Sequence, residues 1–137
     1  MRQLGNLTPI SGNAVNYGKQ REAQFRHFAA AYRRAVKNFP QGFAIDTLGN
    51  IVNRDSGFVV AVDSYDSLEA LLDNGFNYKL VSDGERSVYA FGYWQDNGKQ
   101  YFERVKILAD LGQALDLARL RGEKAIYSFA AGECIAV

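Results

Sequence analysis

The residues able to do chemistry in this 137-residue chain are few and scattered. There is one histidine, His27, and one cysteine, Cys134. General acid–base catalysis needs an imidazole held by a second polar group in a pocket. His27 stands instead beside Arg26, with Arg33 and Arg34 two turns on, in a segment that reads as a helix surface. A nucleophilic thiol needs a positive neighbour to depress its pKa. Cys134 lies in a strand-like run of small and apolar residues, so an inert thiol is expected. One His and one Cys exclude the usual zinc ligand sets, and neither a metal nor a cofactor is expected. The thirteen glycines are spread singly, with no GxGxxG or P-loop pattern and no GxSxG elbow.

Carboxylates are the remaining route to catalysis, since paired acids can hydrolyse bonds unaided. Asp63 and Asp66 sit at a strand-to-helix junction, and Asp110 takes the matching place before a later helix. Such positions could hold Mg²⁺, but helix capping accounts for Asp66 and Asp110. Glu85 and Glu133 each follow a turn glycine and read as solvated turn residues. A small carboxylate-dependent enzyme is therefore an alternative rather than the leading expectation.

Charge and aromatic rings point elsewhere. The net charge is +1, yet residues 1–40 carry seven basic residues and one acid, a local +6. The other 97 residues carry nine basic and fourteen acidic residues, a local −5. The field a partner meets depends on this local separation, not on the total. Arg26, Arg33, Arg34 and Lys37 are expected on the outward face of one helix. Further on, Tyr89, Phe91 and Tyr93 alternate along a strand, with Tyr101 and Phe102 across a hairpin turn. Exposed aromatics on a sheet can stack nucleobases or anchor a protein interface. They can equally pack under a helix of the same chain.

The elements that must position these residues follow from periodicity. Phe25, Phe28, Ala29, Tyr32, Ala35, Val36 and Phe39 recur at helical spacing, predicting a long amphipathic helix over Lys19–Phe39 stopped by Pro40 and Gly42. Before it, residues 1–18 read as a polar leader, and residues 19–137 as one domain. The period then becomes two. Strands are predicted at Phe43–Asp46, Ile51–Asn53, Phe58–Asp63, Asn77–Val81, Arg86–Gln95, Lys99–Ile107, Lys124–Phe129 and Cys134–Val137. Asn97-Gly98 is the strongest hairpin signal. A short helix over Ser67–Asn74 is expected to be capped by Asp66, with Glu69 completing a capping box and Gly75 as the stop. Another is expected over Leu111–Arg121, between Asp110 and Gly122. Each helix is followed by glycine and a glycine-centred hairpin, which suggests three stacked αββ units. The fold class expected is α+β, with helices covering one face of an antiparallel sheet.

Hydrophobic content of 47% and charged content of 23% are ordinary for a globular domain. A lone cysteine fits a reducing, cytoplasmic setting. No apolar run approaches the roughly 20 residues that span a bilayer, and no membrane partner is expected. The function these features suggest is a non-enzymatic interaction module, most simply protein-binding, with a homodimer compatible with its aromatic surplus. In kind it resembles the compact α+β inhibitors of host defence carried by phages and mobile elements, anti-CRISPR proteins among them. The contacts expected are Arg26, Arg33, Arg34, Lys37, Tyr89, Phe91 and Tyr93. Nucleic acid bound by the basic face of helix 19–39 is the alternative partner.

Overall fold

The computed structural model describes the backbone of residues 11–74 and 88–137, and side chains over 22–74 and 89–137. The elements in order are α1 (Ser11–Asn38), β1 (Gly42–Ile45), β2 (Phe58–Tyr65), α2 (Leu68–Asn74), β3 (Val88–Asp96), β4 (Lys99–Leu108), α3 (Leu111–Arg121), β5 (Ala125–Ser128) and β6 (Glu133–Ala136). The six strands form one curled antiparallel sheet in the order β1-β3-β4-β2-β5-β6. The fold is α+β. Residues 11–18, read from sequence as leader, belong to α1; the strand expected at Asn77–Val81 and the stop at Gly75 lie outside the described residues.

Cross-strand register places all three helices on one face. Tyr93 pairs with Phe102, Phe91 with Arg104 and Tyr89 with Lys106, so these six side chains share a face. Phe28 and Tyr32 of α1 and Leu68, Leu71 and Leu72 of α2 pack with Phe91, Tyr93 and Phe102 on that face. Ala114 and Ala118 of α3 pack against Val60 and Ile126 on the same side, as a separate cluster. On the opposite face Ala90, Val105 and Ile107 form a third cluster, with Val52, Val59 and Phe129 against it.

Aromatic rings lock α1 to the sheet. Phe28 meets Phe91 with ring centroids 4.9 Å apart, and Tyr32 meets Phe43 edge-on at 5.1 Å. Buried ring pairs add about 0.5–1.5 kcal/mol beyond their area. The Tyr32 hydroxyl, pushed well above its ordinary pKa by burial and then by Glu103 and Tyr93, donates to the Gly92 carbonyl at 2.6 Å. Gly92 keeps the sheet tight here, since a Cβ would meet Val105 Cγ1 at 3.0 Å.

Two local expectations need correcting. Ser67, not Asp66, caps α2: the Ala70 amide donates to Ser67 Oγ at 3.0 Å. The cap serves the third helical residue, which is Ala70, so Glu69 is one place early for a capping box. The threefold αββ repeat is not confirmed: its third hairpin is β5–β6, its second falls outside the described residues, and its first is incomplete. The segment expected as a strand at Ile51–Asn53 makes only an isolated bridge, Ile51 to Ile45, while β1 pairs with the distant β3. Asp46 explains this: its Oδ1 accepts from the amides of Leu48 and Asn50, both at 2.9 Å, closing a side-chain-held turn. Gly49, at φ +88°, lays that turn on α1, where a Cβ would lie 2.9 Å from the Ala31 methyl.

Candidate functional site

On α1, burial of Phe28, Ala29, Tyr32, Ala35 and flanking Phe25 and Val36 settles which side faces water. Arg26, Arg33, Arg34 and Lys37 are all exposed on the outer side. At 1.5 Å per residue they form a ridge about 16 Å long. Arg26 lies 3.9 Å from Glu22, and Arg33 lies 3.8 Å from Glu69 of α2, both between well-exposed side chains. Such pairs hold little energy and compete weakly with a partner. Among the described residues, Arg34 and Lys37 have no carboxylate within ion-pair distance. Lys37 also sits in the last turn of α1, where the helix dipole favours positive charge.

The aromatic strand does not join this surface. Phe91 is 0% and Tyr93 2% exposed, both beneath α1, so neither is available as a contact residue. The alternation of β3 identifies two faces but does not say which one a helix covers. Tyr89 is half-buried, with the Arg104 guanidinium 5.9 Å and the Lys106 ammonium 5.5 Å from its ring centre. On the sheet, Trp94 and Tyr127 reach solvent from the opposite face. Trp94 stacks on Tyr101 at 4.4 Å with 13° between planes, and Lys99 caps Tyr101 at 5.0 Å. That pair was legible in advance, because the two-residue Asn97-Gly98 turn fixes Trp94 opposite Tyr101.

Beside Trp94 lies the feature sequence reasoning missed, a buried acid. Glu103 is 7% exposed, and burial pushes its carboxyl up to about 6, opposed by hydrogen bonds from Ser64 and Trp94 and aided by Glu123. Ser64 Oγ donates to Glu103 Oε2 at 3.0 Å. The register shift between Ala61 and Asp63 makes that contact, because one extra residue in β2 turns Ser64 onto the Glu103 face. A period-two reading of the sequence carries no sign of such an insertion.

The sequence-predicted chemical residues are not gathered. His27 is exposed on α1, with Nε2 against the Gly49 turn. The Cys134 thiol is pushed up by partial burial and by Glu103 and Glu133, the reverse of an activated nucleophile. Asp63 is engaged by Arg104 at 2.6 Å and Arg121 at 3.4 Å, while Asp66 faces solvent. Asp110 caps α3, accepting from the Gln113 amide at 2.8 Å. Glu85 lies outside the described residues. Among the described residues no group of three His, Cys, Asp or Glu is placed to hold a metal ion, and no helix is long and apolar enough to cross a membrane.

Comparison of the chain with protein-family models, with curated proteins and with solved structures returns no match. The outer ridge of α1 is thus read on its own chemistry: four exposed cations on a helix whose inner face is anchored by rings.

Proposed function

We propose that this chain is a non-enzymatic interaction module that docks an acidic surface of a partner protein onto the outer face of α1. The observation that carries the reading is the ridge of Arg26, Arg33, Arg34 and Lys37, with Arg34 and Lys37 lacking any internal carboxylate partner among the described residues. Phe28 and Tyr32 hold the helix to the sheet, so the charges are displayed on a rigid element and little ordering cost falls on binding. Arginine forks match carboxylates bidentately, which suits recognition of acidic side chains. A phage or mobile-element inhibitor of host defence would act in this manner, by occupying a partner's working surface.

The test is capture from a lysate of the native host, comparing the parent chain with an Arg34→Glu/Lys37→Glu variant and with Trp94→Ala. The charge-reversed chain is expected to lose its partner by about tenfold or more in affinity, while Trp94→Ala retains it. Equal capture by the parent and the charge-reversed chain would refute the reading. The same ridge could serve nucleic acid, which a fluorescence titration with DNA and RNA over a salt series separates. Saturable binding whose log–log salt slope approaches about −0.9 per phosphate contacted would transfer the face to nucleic acid.

A further inference from the structure

Between the α1–α2 cluster and the α3 cluster, the helix-bearing face of the sheet carries charge where its surroundings are apolar. Arg104 of β4 and Arg121 from the end of α3 converge on Asp63 of β2. Arg104 Nη2 lies 2.6 Å from Asp63 Oδ2, and Arg121 Nη2 lies 3.4 Å from Asp63 Oδ1 and donates to the Val62 carbonyl. The β2 bulge is what brings Asp63 there. With regular alternation it would share the opposite face with Ala61, and the extra residue re-aims it toward Arg104. Tyr89 supplies a ring beside the Arg104 guanidinium.

Two guanidiniums share the Asp63 carboxylate, and Glu123 is near enough to Arg121 to feel its charge. Asp63 also engages a single nitrogen of Arg104, although a guanidinium fork is made to be gripped along two. Arg104 Nε is buried and, among the described residues, has no hydrogen-bond acceptor. A buried donor without an acceptor costs about 1–3 kcal/mol, and more when charged. Folding alone gives no reason to keep it. The side chains remain reachable, with Arg104 28%, Asp63 35% and Arg121 43% exposed.

We propose that this strip is an oxyanion site that takes a small phosphate monoester, gripped by Arg104 and Arg121. Asp63 acts as the positioning residue that gathers both guanidiniums on one strip of the face. A phosphate suits the site better than a carboxylate because its several oxygens can occupy the Arg104 Nε–Nη edge and the outer nitrogens of Arg121 together. Arg104 Nε is closed to water as the chain stands, so seating the ligand requires a rotation of the Arg104 head group. The site is distinct from the α1 ridge and does not depend on a protein partner.

The experiment is a titration of the full chain with inorganic phosphate and with phenyl phosphate, against sodium chloride at matched ionic strength. It is followed by NMR of the arginine Nε–H resonances. The expected result is a saturable shift of Arg104 and Arg121 at millimolar phosphate, weakened at least about fivefold by Arg121→Gln. Arg34→Glu should leave it unchanged. Arg121→Lys, which keeps the charge and removes the fork, should weaken it too. Arg104→Gln should weaken it as well; should that variant fail to fold, the two Arg121 variants carry the test alone. The proposal is overturned by absence of saturation up to tens of millimolar phosphate. It is overturned equally by binding that the Arg121 variants leave intact, or by binding that Arg34→Glu abolishes.

Discussion

Glu103→Gln should change how stability depends on pH more than it changes stability itself. The Glu103 carboxyl is buried on the helix-free face and titrates at about 6 against an ordinary 4.5. Its folded-state pKa is raised, so between about 4.5 and 6 the folded chain holds a proton that the unfolded chain has released. Stability from this group is therefore fully present below 4.5 and is lost as pH rises through 6. A displacement of this size corresponds to about 2 kcal/mol, since the group is nearly inaccessible and solvent screens it little. Glutamine keeps the shape and an acceptor for Ser64 but has no charge to desolvate. At pH 8 the variant should recover part of that 2 kcal/mol, less about 1 kcal/mol because its amide nitrogen faces the donors of Ser64 and Trp94. The assay is urea unfolding from pH 4.5 to 8, read by the fluorescence of Trp94, the single tryptophan. The difference between parent and variant isolates Glu103 from Glu123, whose carboxyl is also raised by burial. It should move by about 2 kcal/mol across the window, or roughly 1 M in urea midpoint. A difference that stays flat from pH 4.5 to 7 would refute the argument from burial.

Three further substitutions test how the surfaces are held. Tyr32→Phe removes the 2.6 Å bond to the Gly92 carbonyl and leaves that acceptor buried, so thermal unfolding should show a loss of about 1–2 kcal/mol. Gly49→Ala forces a side chain onto φ +88° and into the Ala31 methyl, and should cost more than about 1 kcal/mol in chemical denaturation. Asp110→Ala removes the α3 cap and should cost about 1 kcal/mol, with circular dichroism showing the loss confined to a modest drop in midpoint.

Legibility was uneven, for physical reasons. Two signals confined to a few neighbouring residues survived intact. α3 runs from Leu111 to Arg121 with Asp110 and Gly122 as its caps, and Gly122 takes the left-handed conformation that such a stop requires. The Asn97-Gly98 turn likewise set nine register pairs between β3 and β4. What failed was anything needing knowledge of the other side of a contact. Phe91 and Tyr93 looked as fit for an interface as for a core until α1 was laid on them. Asp63 looked like a junction acid until the bulge turned it toward Arg104 and Arg121. Glu103 carries no local signal, because its neighbours Ser64 and Trp94 are 39 and 9 residues away in sequence.

The chain's own order of residues was enough to determine the α+β class, the α3 caps and the Asn97-Gly98 turn, and the segregation of positive charge onto the first helix, since each depends on local backbone preference or simple composition. Only the tertiary structure decided which sheet face lies under the helices, that β1 pairs with β3, and where the buried Glu103 and the doubly clasped Asp63 sit. Those outcomes come from long-range strand pairing and one inserted residue in β2, and neither leaves a periodic trace in sequence.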